Sequence, residues 1–215
     1  MNKNEFLDIV QPFSMTSKER IFALFDSLEY IRKLNLEGDI VECGVWKGGN
    51  ILGIIEYLYR FNIDNKNVWL YDTFQGMSNP ENVDIDLNHK AASDLMNLPS
   101  ILAYCSLHNV KATLCKSKFD QNYIQYIVGD VSQTLTISHN LPKNISLLRL
   151  DTDWYKSTKD ELHFLYPKLV NKGILIVDDY GHWQGAKKAC DEYFVHKNIT
   201  ISQIDYTGIK IVKNE

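Results

Sequence analysis

Two short acidic segments carry most of the chemistry this sequence could do: Asp151-Thr152-Asp153-Trp154 and Asp178-Asp179-Tyr180-Gly181-His182-Trp183. Each follows an apolar run, 147–150 and 174–177, and so reads as the carboxyl end of a core strand. Neighbouring strands would then bring four carboxylates to one edge. Like charges that close repel, so a cation or a proton must compensate. Hard oxygen ligands favour Mg²⁺ or Ca²⁺ over zinc. The plainer reading is that Asp-Thr-Asp caps the next helix; two acidic pairs ending two core strands weigh toward a metal. His182 lies where it could contact substrate or pair with a carboxylate, although a lone histidine is more often a packing residue.

Three other strand ends carry polar groups. Glu42-Cys43-Gly44-Val45-Trp46-Lys47-Gly48-Gly49-Asn50 joins a strand to a helix through glycines, which lets a ligand approach the backbone. The spacing is neither the dinucleotide Gly-x-Gly-x-x-Gly nor a phosphate loop. Asp72 could accept from both hydroxyls of a ribose, or cap its own turn. Asp130, after Gly129, could accept from an adenine amino group, or cap the helix starting near Ser132.

The elements that would position these groups follow from periodicity. A helix capped by Thr16 or Ser17 places Ile21, Leu24, Phe25, Leu28 and Ile31 on one face. Strands are expected over 40–45, 67–71, 123–128, 144–151 and 173–177, with a closing hairpin over 199–204 and 207–212. Helices are expected to about Tyr59 after Gly49, over 157–169 and over 185–195. Residues 76–120 show a weaker pattern, with a helix near 100–108, and read as a lid or insertion. Near-continuous apolar strands alternating with helices imply a parallel sheet covered on both faces. Ligands bind such sheets beyond the strands' carboxyl ends.

A chain of 215 residues suits one domain. The net charge of −4 and the lack of a basic block argue against nucleic acid as the main partner. Four cysteines without a Cys-x-x-Cys pair read as reduced thiols of a cytoplasmic protein. No run approaches a membrane span, and the opening residues do not read as a signal peptide.

Residues 38–49, Tyr71-Asp72-Thr73-Phe74-Gln75-Gly76-Met77, Leu148-Arg149-Leu150-Asp151-Thr152-Asp153-Trp154-Tyr155-Lys156-Ser157-Thr158 and Ile176-Val177-Asp178-Asp179-Tyr180-Gly181-His182-Trp183-Gln184-Gly185-Ala186 together resemble the TylF/MycF-type sugar O-methyltransferases, the macrocin O-methyltransferase family. The resemblance spans about residues 15–194. It implies a class I methyltransferase Rossmann-like fold, with a mostly parallel seven-stranded sheet, an antiparallel edge hairpin and helices on both faces. It implies S-adenosylmethionine and Mg²⁺ as cofactors. Glu42, Gly44, Gly48 and Asn50 would line the donor's methionine end. Asp72, Thr73 and Phe74 would meet its ribose, and Gly129, Asp130 and Val131 its adenine. Met15 and Thr16 would belong to an N-terminal helical lid, residues 1–37. Asp151, Asp178 and Asp179 would ligate Mg²⁺, as equivalent strand ends do in catechol O-methyltransferase-like enzymes. Asp153 would be the general base, with Asp151 able to exchange roles and His182 nearby. The expected acceptor is a sugar hydroxyl of a glycosylated metabolite or polysaccharide precursor, its two vicinal oxygens chelating the cation; relatives also self-associate. A catechol or phenolic acceptor, or a non-catalytic nucleotide- or metal-binding module, are the alternatives, and the glycine spacing disfavours an NAD-dependent oxidoreductase.

Overall fold

The computed structural model describes residues 1–214. Its strands are β1 Asp39–Cys43, β2 Val68–Asp72, β3 Ile124–Val128, β4 Ile145–Leu150, β5 Leu169–Val177, β6 Ile201–Gln203 and β7 Ile209–Val212. They form one sheet in the order β3-β2-β1-β4-β5-β7-β6, parallel except for β7, which runs antiparallel to both β5 and β6. The expected sheet and closing hairpin are therefore present.

Register decides which side chains share a face. In β4, Arg149 pairs with Glu42 of β1 and Ile176 of β5. Side chains alternate along a strand, so Ile40, Leu147, Ile174 and Ile176 point to one side and Val41, Leu148, Leu175 and Val177 to the other. The first set joins a core with helices α1 Lys3–Val10, α2 Lys18–Lys33, α3 Gly49–Arg60 and α6 Leu107–Leu114. The second packs against α7 Val131–Thr134, α8 Tyr155–Phe164 and α9 Gln184–Phe194.

Ser17, rather than Thr16, caps α2: its hydroxyl accepts from Arg20 N at 3.2 Å. α1 was not foreseen from periodicity; it opens on a capping box at Asn2 and Glu5 and buries Phe6 and Val10. α8 stops at Phe164 instead of running to residue 169, because Pro167 cannot continue it. The 76–120 segment holds two single turns, α4 Ala92–Leu95 and α5 Pro99–Leu102, before α6. Left-handed Ala103 ends α5 and Ser106 caps α6, so the single helix expected over 100–108 is split. Among the described residues no helix is long and apolar enough to cross a membrane.

Candidate active site

The chain moves from β1 toward β2 and β3 on one side, and from β4 toward β5 on the other. The crevice at that reversal is where an open α/β sheet binds ligands. Gly44 makes the crevice tight. Its φ is +80°, and a Cβ there would lie 1.9 Å from the Asp151 carbonyl oxygen, so only glycine lets the two strand ends meet.

Two adjoining cavities open above this crevice. The first is lined by Gly44, Asp72, Thr73, Gly129, Asp130 and Val131. The second is lined by Thr16, Arg20, Asn50, Asp178, Asp179 and His182. Met15, Trp46, Asp151 and Asp153 border both.

On the first side the carboxylates are tied to the backbone. Asp72 Oδ2 accepts from Val45 N at 2.6 Å and Trp46 N at 3.2 Å, and Oδ1 from Phe74 N at 2.7 Å. Trp46 and Phe74 both sit at positive φ, +47° and +54°, where a bulky residue is strained unless held. Asp72 is the clamp that holds them. Burial nevertheless raises its pKa, opposed by these three N–H groups. Asp130 caps α7, accepting from Ser132 N at 2.8 Å. Gly48, at φ +81°, is the N-cap of α3.

The second side gathers four acids and an arginine: Asp151, Asp153, Asp178, Asp179 and Arg20. Carboxylate oxygens of Asp151, Asp153 and Asp179 lie within 4.8 Å of one another. Desolvation pushes Asp153 up to about 7, and it raises Asp179, with Asp153 adding to that rise. Asp178 is 2 % exposed. Burial pushes it up to about 6 against the pull of Arg149. Its two oxygens accept from Arg149 Nη2 at 2.5 Å and from Arg20 Nη1. Asp153 itself lies at φ +66°. His182 is half-buried; burial lowers its pKa, opposed by Asp86, and its Nδ1 has no hydrogen-bond partner among the described residues.

Asn50 lines the second cavity and Glu42 lies behind it. Asn50 Nδ2 donates to Glu42 Oε1 at 3.2 Å and to Thr16 Oγ1 at 3.3 Å. Glu42 Oε2 and Asn50 Oδ1 are buried without a partner among the described residues. Burial pushes Glu42 up to about 7, against Arg149.

Most of the residues singled out in the sequence thus line these cavities; Glu42, Gly48 and Phe74 stand behind the walls. The acidic cluster has a different third corner from the expected metal set: Asp153 is the neighbour of Asp151 and Asp179, whereas Asp178 faces two arginines. Sequence reasoning passed over both arginines. Arg149 is a charge inside the apolar run 147–150, at the same parity as Leu147, and that was the available signal. It also passed over Asp84, whose Oδ1 accepts from Tyr155 N at 2.7 Å and so ties the 76–120 segment to the start of α8. Trp154 and Trp183 pack edge to face beside that tie, 4.9 Å between centroids, and Trp154 Nε1 donates to Ser78 O.

The set of hard oxygens, two of them on acids that burial and mutual repulsion keep from ionising freely, fits a divalent cation. The two unpartnered acceptors at Glu42 and Asn50 fit a ligand that brings N–H donors.

Comparison with known proteins agrees with this architecture. The macrocin-O-methyltransferase (TylF) family profile matches residues 9–213. Demethyldecarbamoylnovobiocin O-methyltransferase of Streptomyces niveus is 31% identical over 198 residues, 91% of this chain and 74% of that protein. The 8-demethyl-8-(2,3-dimethoxy-alpha-L-rhamnosyl)-tetracenomycin-C 4'-O-methyltransferase of Streptomyces olivaceus is 27% identical over 202 residues, 91% of this chain and 74% of that protein. The solved structure of the O-methyltransferase NovP superposes with a TM-score of 0.81 at 28% identity, covering 94% of this chain and 83% of that one.

Proposed function

The chain belongs to the macrocin O-methyltransferase family and is an S-adenosylmethionine-dependent O-methyltransferase; from that premise we propose that its acceptor is a sugar hydroxyl of a glycosylated small molecule, and that Mg²⁺ at the acidic strand ends assists the transfer. The observation that carries this reading is the meeting of two cavities at Asp151 and Asp153, one walled by backbone-tied acids and one by charged ones. One relative's name specifies a rhamnosyl-bearing compound, which supports the sugar.

Toward the donor's methionine end, Asn50 would face the ligand from the cavity wall, with Glu42 behind it as its hydrogen-bond partner. Gly44, on the wall of the first cavity, would line the path of that methionine end. Asp72 would accept from a ribose hydroxyl with the one lone pair that its three backbone bonds leave open on Oδ1. Thr73 would stand beside the nucleoside, and Asp130 and Val131 would border adenine. Met15 and Thr16 would cover the junction of the two cavities.

On the other side, Asp151, Asp178 and Asp179 would hold Mg²⁺, and Asp153 would take the acceptor's proton. Asp151 and Asp179 belong to the geometric cluster. The third ligand is assigned to Asp178 because each of its oxygens keeps a lone pair beyond its arginine. Asp153 borders both cavities, where a base between donor and acceptor must stand. A bound Mg²⁺ would lower the cost of turning a hydroxyl into an alkoxide. The two cavity walls would fix acceptor oxygen, methyl carbon and sulfur in line. His182, bordering the second cavity with a free Nδ1, would contact the acceptor.

Product mass spectrometry with isotope-labelled donor, Mg²⁺, and paired glycosylated and phenolic acceptors tests the reading. Label on the sugar is expected. Label only on phenols overturns the acceptor class, and full turnover in EDTA overturns the cation. Asp153→Asn and Asp178→Asn separate base from ligand: only the second should weaken Mg²⁺ binding, and the reverse result exchanges their roles.

A further inference from the structure

We infer that Arg149 is a positioning residue shared by both halves of the site, holding the donor wall and the cation ligands with one guanidinium. Nη1 donates to Glu42 Oε1 at 2.6 Å and to Asp151 Oδ2 at 2.8 Å. Nη2 donates to Thr16 Oγ1 at 3.0 Å and to Asp178 Oδ1 at 2.5 Å. Each nitrogen of the fork thus reaches one acid of the cation side and one group, Glu42 or Thr16, that also accepts from Asn50 Nδ2. This rests on the reading of the two cavities given above.

Strand geometry makes the arrangement. Glu42 lies opposite Arg149 on β1, Asp151 is two residues on along its own chain, and Asp178 is two residues beyond its β5 partner Ile176. All four side chains therefore leave the sheet on one face. That face is otherwise apolar, with Ile40, Leu147, Ile174 and Ile176. An arginine 2 % exposed in such a face is a poor way to gain stability, since a desolvated ion pair rarely outperforms well-packed apolar groups. Its value lies in geometry. The planar guanidinium fixes direction as well as charge, which a lysine ammonium does not.

Arg20 provides the internal contrast. It also holds Asp178, but its other partners are Ser17, the cap of α2, and Asp205, in the β6–β7 turn. It touches neither Glu42 nor Thr16 in any contact the structure describes. Arg149 serves both halves; Arg20 serves the cation half alone.

The test titrates S-adenosylhomocysteine and Mg²⁺ separately, by calorimetry, into the wild-type protein, Arg149→Lys, Arg20→Lys and Glu42→Gln. Outer partners of metal ligands are typically worth about 10–100-fold in affinity. Arg149→Lys should weaken Mg²⁺ by about that factor and S-adenosylhomocysteine severalfold. Arg20→Lys should weaken Mg²⁺ alone. Glu42→Gln, isosteric and outside the proposed ligand set, should still shift Mg²⁺ affinity severalfold, because it makes neutral one charge-assisted arm of the fork that orients Asp151. If Arg149→Lys fails to fold, Glu42→Gln carries the test. Unchanged Mg²⁺ affinity in Glu42→Gln, or an effect of Arg149→Lys on one ligand only, overturns the shared role. Failure of the wild type to bind Mg²⁺ would instead overturn the cation reading itself, and failure to bind S-adenosylhomocysteine the donor reading.

Discussion

The carboxylates at the ends of β2 and β3 and those at the ends of β4 and β5 occupy equivalent places in one parallel sheet, yet they are in opposite electrostatic condition. Asp72 accepts three backbone N–H groups, and Asp130 the backbone and hydroxyl of Ser132. Their charge is used in making turns. At the other end, Asp151 and Asp178 lean on arginines, and Asp153 and Asp179 stand against each other. An acid whose charge is met by the local backbone shapes a binding wall, whereas one that the backbone leaves unmet is available for a cation or a proton. Removing the two kinds should therefore have different consequences: lost structure in the first case and lost chemistry in the second.

The largest effect is expected at Asp153. Asp153→Asn keeps the shape and removes the base, so turnover should fall by about 10²–10⁴-fold. S-adenosylhomocysteine affinity should stay near the wild-type value. Steady-state rates and a binding titration on the same preparation check it. A parallel loss of affinity would mean that the two halves are not chemically separate.

Asp72 should behave the other way. Asp72→Ala strips acceptors from Val45, Trp46 and Phe74 and releases two residues held at positive φ. A destabilisation of about 2–3 kcal/mol is expected, the scale for leaving such donors unmet, together with weaker donor binding. Denaturant melts measure the first and calorimetry the second. Asp179→Asn, by contrast, should not lower metal-free stability above neutral pH, because it removes an acid that burial and Asp153 both keep from ionising. If both variants lose stability equally, the distinction between met and unmet acids fails.

The sequence made this division only half legible. Strand ends were readable because apolar runs such as 174–177 stop abruptly at charges. That one sheet edge would gather Asp72, Asp130, Asp151 and Asp178 followed from the parallel topology. What each acid would find there did not follow. The clamp on Asp72 depends on the left-handed turns at Trp46 and Phe74, and residue type does not announce positive φ outside glycine. The arginine fork depends on register across β1, β4 and β5, a long-range quantity that local pattern does not carry. The 76–120 segment was legible as an insertion but not in its folding, because its anchors, Asp84 and the Trp154–Trp183 pair, act across distant parts of the chain.

Behind the charged half lies Glu161, fully buried, with Thr152 Oγ1 donating to its Oε1 at 2.9 Å. Burial pushes it up to about 8 from an ordinary 4.5. A carboxyl whose folded pKa is raised contributes stability that is present below its unfolded value and lost as pH rises through its folded one. The window here runs from about 4.5 to about 8. Glu161→Gln cannot ionise, so its melting temperature should gain on the wild type steadily across that window and level off above it. A constant difference between the two melting curves from pH 5 to pH 8 would show that Glu161 is not a stored, unmet acid.

The smallest effect is expected at Asp130, and it is the sharpest check on the quiet half. Its carboxylate is the N-cap of a single helical turn, Val131–Thr134, and it also receives the Ser132 hydroxyl at 2.7 Å. Losing such a cap costs about 1 kcal/mol. Asp130→Ala should show that loss in a melt, and Asp130→Asn, which keeps a cap oxygen, should recover most of it. The same pair divides structure from recognition. If Asp130 acts on the donor only by shaping the turn that carries Val131, then Asp130→Asn should restore S-adenosylhomocysteine affinity along with stability. If stability returns and affinity does not, the carboxylate itself bonds the donor, and Asp130 is an acid with charge to spare after its turn is made.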